Sequence, residues 1–297
     1  MNADEAWTEA YNWLCKQRRK APPNSDVWHL RFHWQRDGEA FRSKVERGEY
    51  RLKPMCIVSR LADEPIAMWD ADDALVLKWV TLQAQDKLPV HPRCHHVKGY
   101  GVKFSHRQVI AALDCGEYHF MYRTDIKGYY RHIRKDQLKE LIRVWVREPI
   151  LRDLIFQYID YSVEQGGEIH TPTLGICRGC SLSPRIGAAL LYHIDSGFAG
   201  REELFYIRYM DDFLILSKTR WGLRRAIKRL YFYLDQGGFD LHPDKTQMGK
   251  LVKGFDWLGL WFSPEGITRS PRSINNHLER CRRLYEHAQH RGIRNSG

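Results

Sequence analysis

Two groups of carboxylates stand 86 residues apart in this chain: Asp125, at the end of an apolar run, and the adjacent pair Asp211-Asp212, between two apolar runs. Aspartate is at home in turns, so an Asp-Asp pair alone says little more than turn. Adjacent ionised aspartates between apolar strands are nevertheless costly, because like charges raise each other's pKa. Residues 204–209 and 213–217 are β-prone runs on either side of Met210-Asp211-Asp212, the pattern of a hairpin. Residues 118–126 read as a strand that ends on a carboxylate. If these strands are neighbours, the carboxylates converge. Converging carboxylates with no lysine nearby bind a hard divalent cation, for which Mg2+ is the expected ion and Mn2+ a substitute. Two such ions about 4 Å apart can activate a 3′-hydroxyl and stabilise a pyrophosphate leaving group, which is the chemistry of a nucleotide polymerase.

The elements that must position these groups alternate. Residues 6–20 read as a leading helix, set off by the break Ala21-Pro22-Pro23-Asn24-Ser25; residues 50–69 read as extended segments with turns. Leu75, Trp79 and Leu82 recur at helical spacing within 72–86, which Pro89 and Pro92 close. Residues 135–147 are a helix with Leu138, Leu141, Ile142 and Trp145 on one face. A loop holding Gly175, Gly179 and Pro184 leads into a helix over 185–196. Residues 220–234 are amphipathic, with Leu223, Ile227, Leu230 and Leu234 on one stripe and Arg224, Arg225, Lys228 and Arg229 off it. Strands mixed with helices around an antiparallel centre predict an α+β fold.

Composition narrows the class. The 297 residues carry 47 Lys/Arg against 36 Asp/Glu, a net charge of +11. Residues 213–297 alone hold 16 Lys/Arg against 7 Asp/Glu. That excess predicts a polyanionic partner, and 10 Trp, 15 Tyr and 12 Phe offer faces on which bases can stack. No apolar run approaches 18 residues and the N-terminus lacks a signal-peptide layout, so the expected location is cytoplasmic, away from membranes. Seven scattered cysteines do not form a disulfide framework. Cys177-Arg178-Gly179-Cys180, with His91, Cys94, His95 and His96, has spacing that zinc could use.

Five segments in order resemble the motifs of reverse transcriptases, in particular the bacterial enzymes related to group II intron, retron and diversity-generating types. Asp125-Ile126-Lys127-Gly128-Tyr129-Tyr130 resembles the first catalytic motif, and residues 175–184 resemble the template and nucleotide loop. Tyr209-Met210-Asp211-Asp212 resembles the signature hairpin. Leu241-His242-Pro243-Asp244-Lys245-Thr246 resembles the next motif with its lysine, and Phe255-Asp256-Trp257-Leu258-Gly259 the primer grip. The resemblance covers about 50–267 and implies a right-hand palm and fingers with a reduced helical thumb. The implied division is an N-terminal extension over 1–24, fingers over 25–115, a palm over 116–265 and a short thumb helix over 266–297.

The resemblance also implies roles. Asp125, the backbone of Ile126, Asp211 and Asp212 would hold two Mg2+ ions, and Lys245 would face the triphosphate and protonate the leaving group. Tyr130 would be the steric gate that excludes ribonucleotides. Arg178, Gly179, Ser183 and Pro184 would face nucleotide and template; Tyr209, Met210, Trp257, Leu258 and Gly259 would hold the primer end. Arg178 stands where the family has glutamine, and Glu64-Pro65-Ile66-Ala67 stands where it has an Arg-Pro-Leu run, so Arg60 or Lys53 would take the triphosphate. Lys98, in a His-His-Val-Lys-Gly-Tyr-Gly segment, would contact RNA.

The implied activity is RNA-directed DNA synthesis from dNTPs. The short form most resembles bacterial defence-associated enzymes in which a noncoding RNA is template and structural partner and cDNA the product. The alternatives are a retron or diversity-generating type, or a catalytically idle RNA-binding palm. The basic charge after residue 213 would then line the exit of the template-primer duplex.

Overall fold

The computed structural model describes residues 2–58, 66–97 and 99–294; Arg60, Lys98 and the Glu64-Pro65 pair lie outside the described residues. The chain forms two compact units, each discontinuous in sequence. One comprises Met1–Pro92 and Gly128–His193, the other Arg93–Lys127 and Ile194–Gly297.

In the first unit, the helix Ala3–Gln17 starts with a capping box, in which Asn2 and Glu5 satisfy each other's backbone N–H. Its Trp7 is fully buried, stacks on Trp79 at 4.9 Å, and donates its indole N–H to Glu46. Trp79 belongs to Ala71–Ala84, a helix buried on nearly all sides, which explains its near-continuous apolar sequence. The break at 21–25 is followed by a helix, Asp26–Glu46, that the sequence pattern did not predict. Only Val27, Gly38 and Val45 of its 21 residues are buried, so it carries almost no apolar period to read. A four-stranded sheet holds Ile66–Met68, Met55–Val58, Val163–Gln165 and Glu168–His170 in that order. The helices Tyr129–His132, Lys135–Trp145, Pro149–Ile159 and Ser183–Leu190 also belong to this unit; the helix expected over 185–196 is broken after Leu190, and the chain resumes as Tyr192–Phe198, most of which belongs to the second unit.

The second unit is built on an antiparallel sheet in the order Leu204–Tyr209, Asp212–Ser217, Phe120–Asp125, Gln247–Lys250. Side chains alternate between its two faces. Phe205, Ile207, Leu214, Leu216 and Met121 share one face and pack with Val109 and Ala112 of the helix Val102–Asp114. Phe255, Trp257 and Phe262, from a small three-stranded sheet, join the same core. Asp125 and Asp212 follow the same alternation and lie on this face. The opposite face carries Tyr206, Phe213 and Ile215 and is covered by the helix Arg220–Gly237, which buries Leu223, Ala226, Leu230 and Leu234. Tyr233 of that helix meets Phe198, which stacks on Tyr206. This corrects one expectation: the basic helix after the Asp-Asp turn sits behind the sheet, so its cations do not line the carboxylate face.

The C-terminal helix Pro271–Arg294 leaves Ile274, Leu278 and Tyr285 exposed. No helix among the described residues is long and apolar enough to cross a membrane.

Candidate active site

Register assembles the site. The strand Phe120–Asp125 pairs with Asp212–Ser217 so that Asp125 stands directly opposite Asp212. The chain leaving Asp125 is tied to the turn: Ile126 N–H donates to the Asp211 carbonyl at 3.2 Å. It is tied on its other side too, where the Asp125 carbonyl accepts from His242 N–H at 2.8 Å and Lys127 N–H donates to Asp240. Backbone hydrogen bonds and strand register thus fix where the three aspartates start from the chain.

The turn itself is strained. Met210 has φ +55, one of two non-glycine residues with positive φ among those described. Such a backbone costs about 1–2 kcal/mol for an L-residue and persists only where its surroundings enforce it. Here both its peptide groups are held: Met210 N–H donates to His96 Nδ1 at 2.9 Å, and its carbonyl accepts from Arg208 Nη1 at 2.8 Å. Arg208 is fully buried and forks onto Asp195, Nε at 2.8 Å and Nη2 at 2.5 Å, while Tyr206 donates its hydroxyl to the same carboxylate. Burial opposes the charge, but Asp195 outweighs it and holds the Arg208 pKa well above its ordinary value. Sequence reading missed Asp195 and Arg208, and it offered His96 as a zinc ligand where the structure has it bracing the turn. The available signal was an arginine at a strand position that alternation places in the core.

Two cations sit on the carboxylates. Lys245 Nζ pairs with Asp125, and Arg123 Nη2 pairs with Asp212 at 3.1 Å. The expectation of a site with no lysine nearby is thus corrected, since Lys245 is brought to Asp125 by a short 3-10 turn, Pro243–Lys245. Arg123 was also missed, although it lies two residues before Asp125 and so on the same face. Compensation is incomplete: burial, then the charges of Asp211 and Asp125, lift the Asp212 carboxyl to about 6 against the pull of Arg123. These groups line a cavity of about 310 Å3 together with Asp256, Gly259 and Asn276.

That shift predicts a pH effect. A carboxyl whose pKa is raised on folding binds more protons folded than unfolded between about 4 and about 6, so its cost to stability grows as pH rises through that window. Asp212→Asn, which resembles the protonated form, should be more stable than wild type at pH 7.5 in EDTA by on the order of 2 kcal/mol. The gap should close toward pH 4. Urea denaturation of both proteins across that range checks it; a gap independent of pH would overturn it.

The primer-grip segment forms a hairpin whose two-residue turn, Leu258 at φ +48 and Gly259 at φ +85, matches the twist of its strands. Trp257 is fully buried, its indole N–H on Ser105 Oγ at 2.9 Å, so its ring anchors the hairpin rather than facing a primer. Leu258 packs partly on the core, and Gly259 reaches the cavity.

Tyr209 ends its strand in the second unit, partly buried on the core, whereas Tyr130, Arg178, Gly179, Ser183, Pro184 and Lys53 belong to the first unit. Tyr130 is buried, its hydroxyl 3.4 Å from the Ser183 carbonyl, with the Arg178 guanidinium over its ring. Gly187 makes room for it, since a Cβ there would lie 2.9 Å from the tyrosine oxygen. Gly175 is obligatory in the same way: at φ +82, its Cβ would lie 2.8 Å from the Tyr130 carbonyl. Gly179, at φ +79, and Pro184, in the first turn of its helix, flank Ser183. Burial pushes the Cys177 thiol up to about 11, and its sulfur accepts from Trp69 Nε1. Lys53 is held by Asp70 at 2.6 Å and by Asp72. Among the described residues no group of three or more His, Cys, Asp or Glu side chains stands in metal-holding geometry.

A search of the curated proteins finds no match for the chain. Among solved structures it is similar to apo telomerase from Candida tropicalis, with a TM-score of 0.57 and 13% identity over 80% of this chain. At that identity the likeness is one of fold, and the chain spans about half, 53%, of the length of the telomerase chain. The family model described as reverse transcriptase (RNA-dependent DNA polymerase) matches residues 83–262, three-fifths of the sequence and all five motif segments. With its carboxylate hairpin lying inside that match, the chain belongs to the reverse transcriptase (RNA-dependent DNA polymerase) family of nucleotidyltransferases.

Proposed function

We propose that the chain is an RNA-directed DNA polymerase that copies a bound noncoding RNA into cDNA by two-metal nucleotidyl transfer, in bacterial defence against phage. The observation that carries the catalytic part is the register that sets Asp125 opposite Asp212, with Asp211 in the hairpin turn just before Asp212. The donor chemistry suits a hard divalent cation: the donors are carboxylate and carbonyl oxygens, and burial, then the charges of Asp211 and Asp125, raise the Asp212 pKa despite Arg123. Asp125, the Ile126 carbonyl, Asp211 and Asp212 would hold Mg2+, which when bound supplies the charge that activates a 3′-hydroxyl and steadies the leaving pyrophosphate. Lys245 Nζ, kept at the site by Asp125, is the proton donor to that pyrophosphate. Arg123 holds Asp212 in place and is itself braced by Asp256 at 3.8 Å. In this reading the four-stranded sheet of the second unit is the palm, the first unit supplies fingers, and the Pro271–Arg294 helix belongs to a thumb.

Primer extension on an RNA template with a DNA primer, Mg2+ and dNTPs tests the activity; no incorporation above the Asp211→Asn protein would sink it. Sequencing of RNA and cDNA that co-purify with the protein tests the template separately, and a scatter of host transcripts in place of one discrete RNA would sink that part. The gate reading makes its own prediction. Tyr130→Phe should keep discrimination against ribonucleotides, while Tyr130→Ala should raise rNTP incorporation relative to dNTP at least tenfold, about the worth of 1.4 kcal/mol. Equal selectivity in the two variants would remove Tyr130 from that role.

A further inference from the structure

The helix Arg220–Gly237 turns toward solvent a surface that the polymerase reading does not use. Its buried stripe lies on the back of the sheet, opposite the carboxylates. Its outward stripe runs Trp221, Arg225, Lys228, Phe232 at steps of four, three and four residues. Trp221 is 70% exposed and Phe232 60% exposed, with Tyr231 beside them at 51%. Aromatic rings left this open on a helix are unusual unless something covers them. Arg224 lies over the Trp221 ring at 5.2 Å. Among the described residues no carboxylate pairs with Arg224, Arg225, Lys228 or Arg229.

We infer that this helix face is a docking surface for single-stranded RNA, separate from the site that handles template and primer. The chemistry selects the occupant. Uncompensated cations at close spacing seek phosphate. Flat rings between them seek exposed bases, which a continuous duplex keeps stacked and a single-stranded loop presents. Eleven residues of helix separate Trp221 from Phe232, roughly 16 Å along the axis, enough for several nucleotides. A protein partner would be expected to meet a patch whose centre is depleted in charge, and this centre is Arg225 and Lys228. The inference deepens the reading of the chain as an RNA-bound enzyme by naming where its RNA is gripped, yet it stands on residues remote from the carboxylates.

The test compares the full chain with Trp221→Ala/Phe232→Ala and with Arg225→Gln/Lys228→Gln, none of which opens the core. Fluorescence anisotropy measures binding to a mixed-sequence 20-nucleotide RNA and to a blunt RNA duplex of the same length. Loss of the two rings should weaken single-stranded binding at least about tenfold and duplex binding far less. Loss of the two cations should reduce the slope of log affinity against log salt by about 1.4. Both variants should extend a preformed RNA-template/DNA-primer hybrid at the wild-type rate. Unchanged RNA binding overturns the inference. So does an equal loss of extension on the preformed hybrid, which would make the face part of the polymerase track. A shift from dimer to monomer by light scattering with RNA affinity retained would give the face to a second copy of the chain and also overturn it. If wild type shows no extension at all, the polymerase reading fails while the binding comparison still decides this one.

Discussion

Asp211→Asn is expected to cut Mg2+-dependent dNTP incorporation by at least about 10^3-fold while leaving the fold intact, the scale of losing one charge-stabilising group at a reacting phosphate. The two halves of that expectation come from different atoms. The Asp211 carbonyl receives Ile126 N–H, and asparagine keeps that carbonyl, so the turn stays tied to the end of the neighbouring strand. What disappears is the side-chain charge, one of those that lift the Asp212 pKa. Removing it relieves repulsion within the carboxylate group, so the variant should melt at or above the wild-type temperature. Primer extension and thermal denaturation on the same preparation check both halves. Activity within tenfold of wild type would withdraw Asp211 from the reaction, and a large drop in melting temperature would make any loss of activity uninformative about chemistry. Asp125→Asn should be as inactive, but it also gives up the Lys245 ion pair.

Arg208→Met should have the largest effect on stability. It leaves the Asp195 carboxylate wholly buried and without its guanidinium, and breaking a buried ion pair from one side costs about 3–5 kcal/mol. Removing both charges together, as Arg208→Met/Asp195→Leu, should recover much of that loss, because two apolar groups need no partner. It should not recover activity. The Met210 carbonyl still lacks its Arg208 donor, so of the two bonds described to the Met210 peptide groups only that to His96 remains to hold the left-handed backbone. Chemical denaturation of wild type, single and double variants measures the first effect. Primer extension at saturating dNTP measures the second, and the loss should fall on kcat. A double variant as active as wild type would reduce Arg208 to a stabilising residue with no positioning role.

The parts of this molecule legible from sequence are those in which local pattern and final environment agree. The hairpin around Asp211-Asp212 was legible because its flanks alternate or run apolar as central strands do, and the strand ending on Asp125 was legible for the same reason. Lys135–Trp145 and Ala71–Ala84 emerged near their expected limits because their apolar residues keep a period or fill every side. Asp26–Glu46 was not legible, since a helix that buries so little leaves almost no periodic signal. Trp257 looked like a residue for gripping a primer and is a core residue, because exposure depends on what packs over a strand and not on the strand's own sequence. Arg123, Asp195 and Arg208 escaped notice for one shared reason: a charged residue in an apolar context reads as an anomaly until its partner is seen, and each partner here is distant in sequence or on another strand.

By itself the sequence determined which groups were available for chemistry, three carboxylates and a lysine, and that strands would end on them. It also determined the family, through the order of its motifs. Only the tertiary structure decided that Asp125 faces Asp212, that Lys245 and Arg123 already sit on those carboxylates, and that the basic helix lies behind the sheet. The reason is register. Pairing between segments nearly ninety residues apart is set by which faces both strands can bury, and a slip of one residue would send every side chain of the strand to the other face, catalytic carboxylate included.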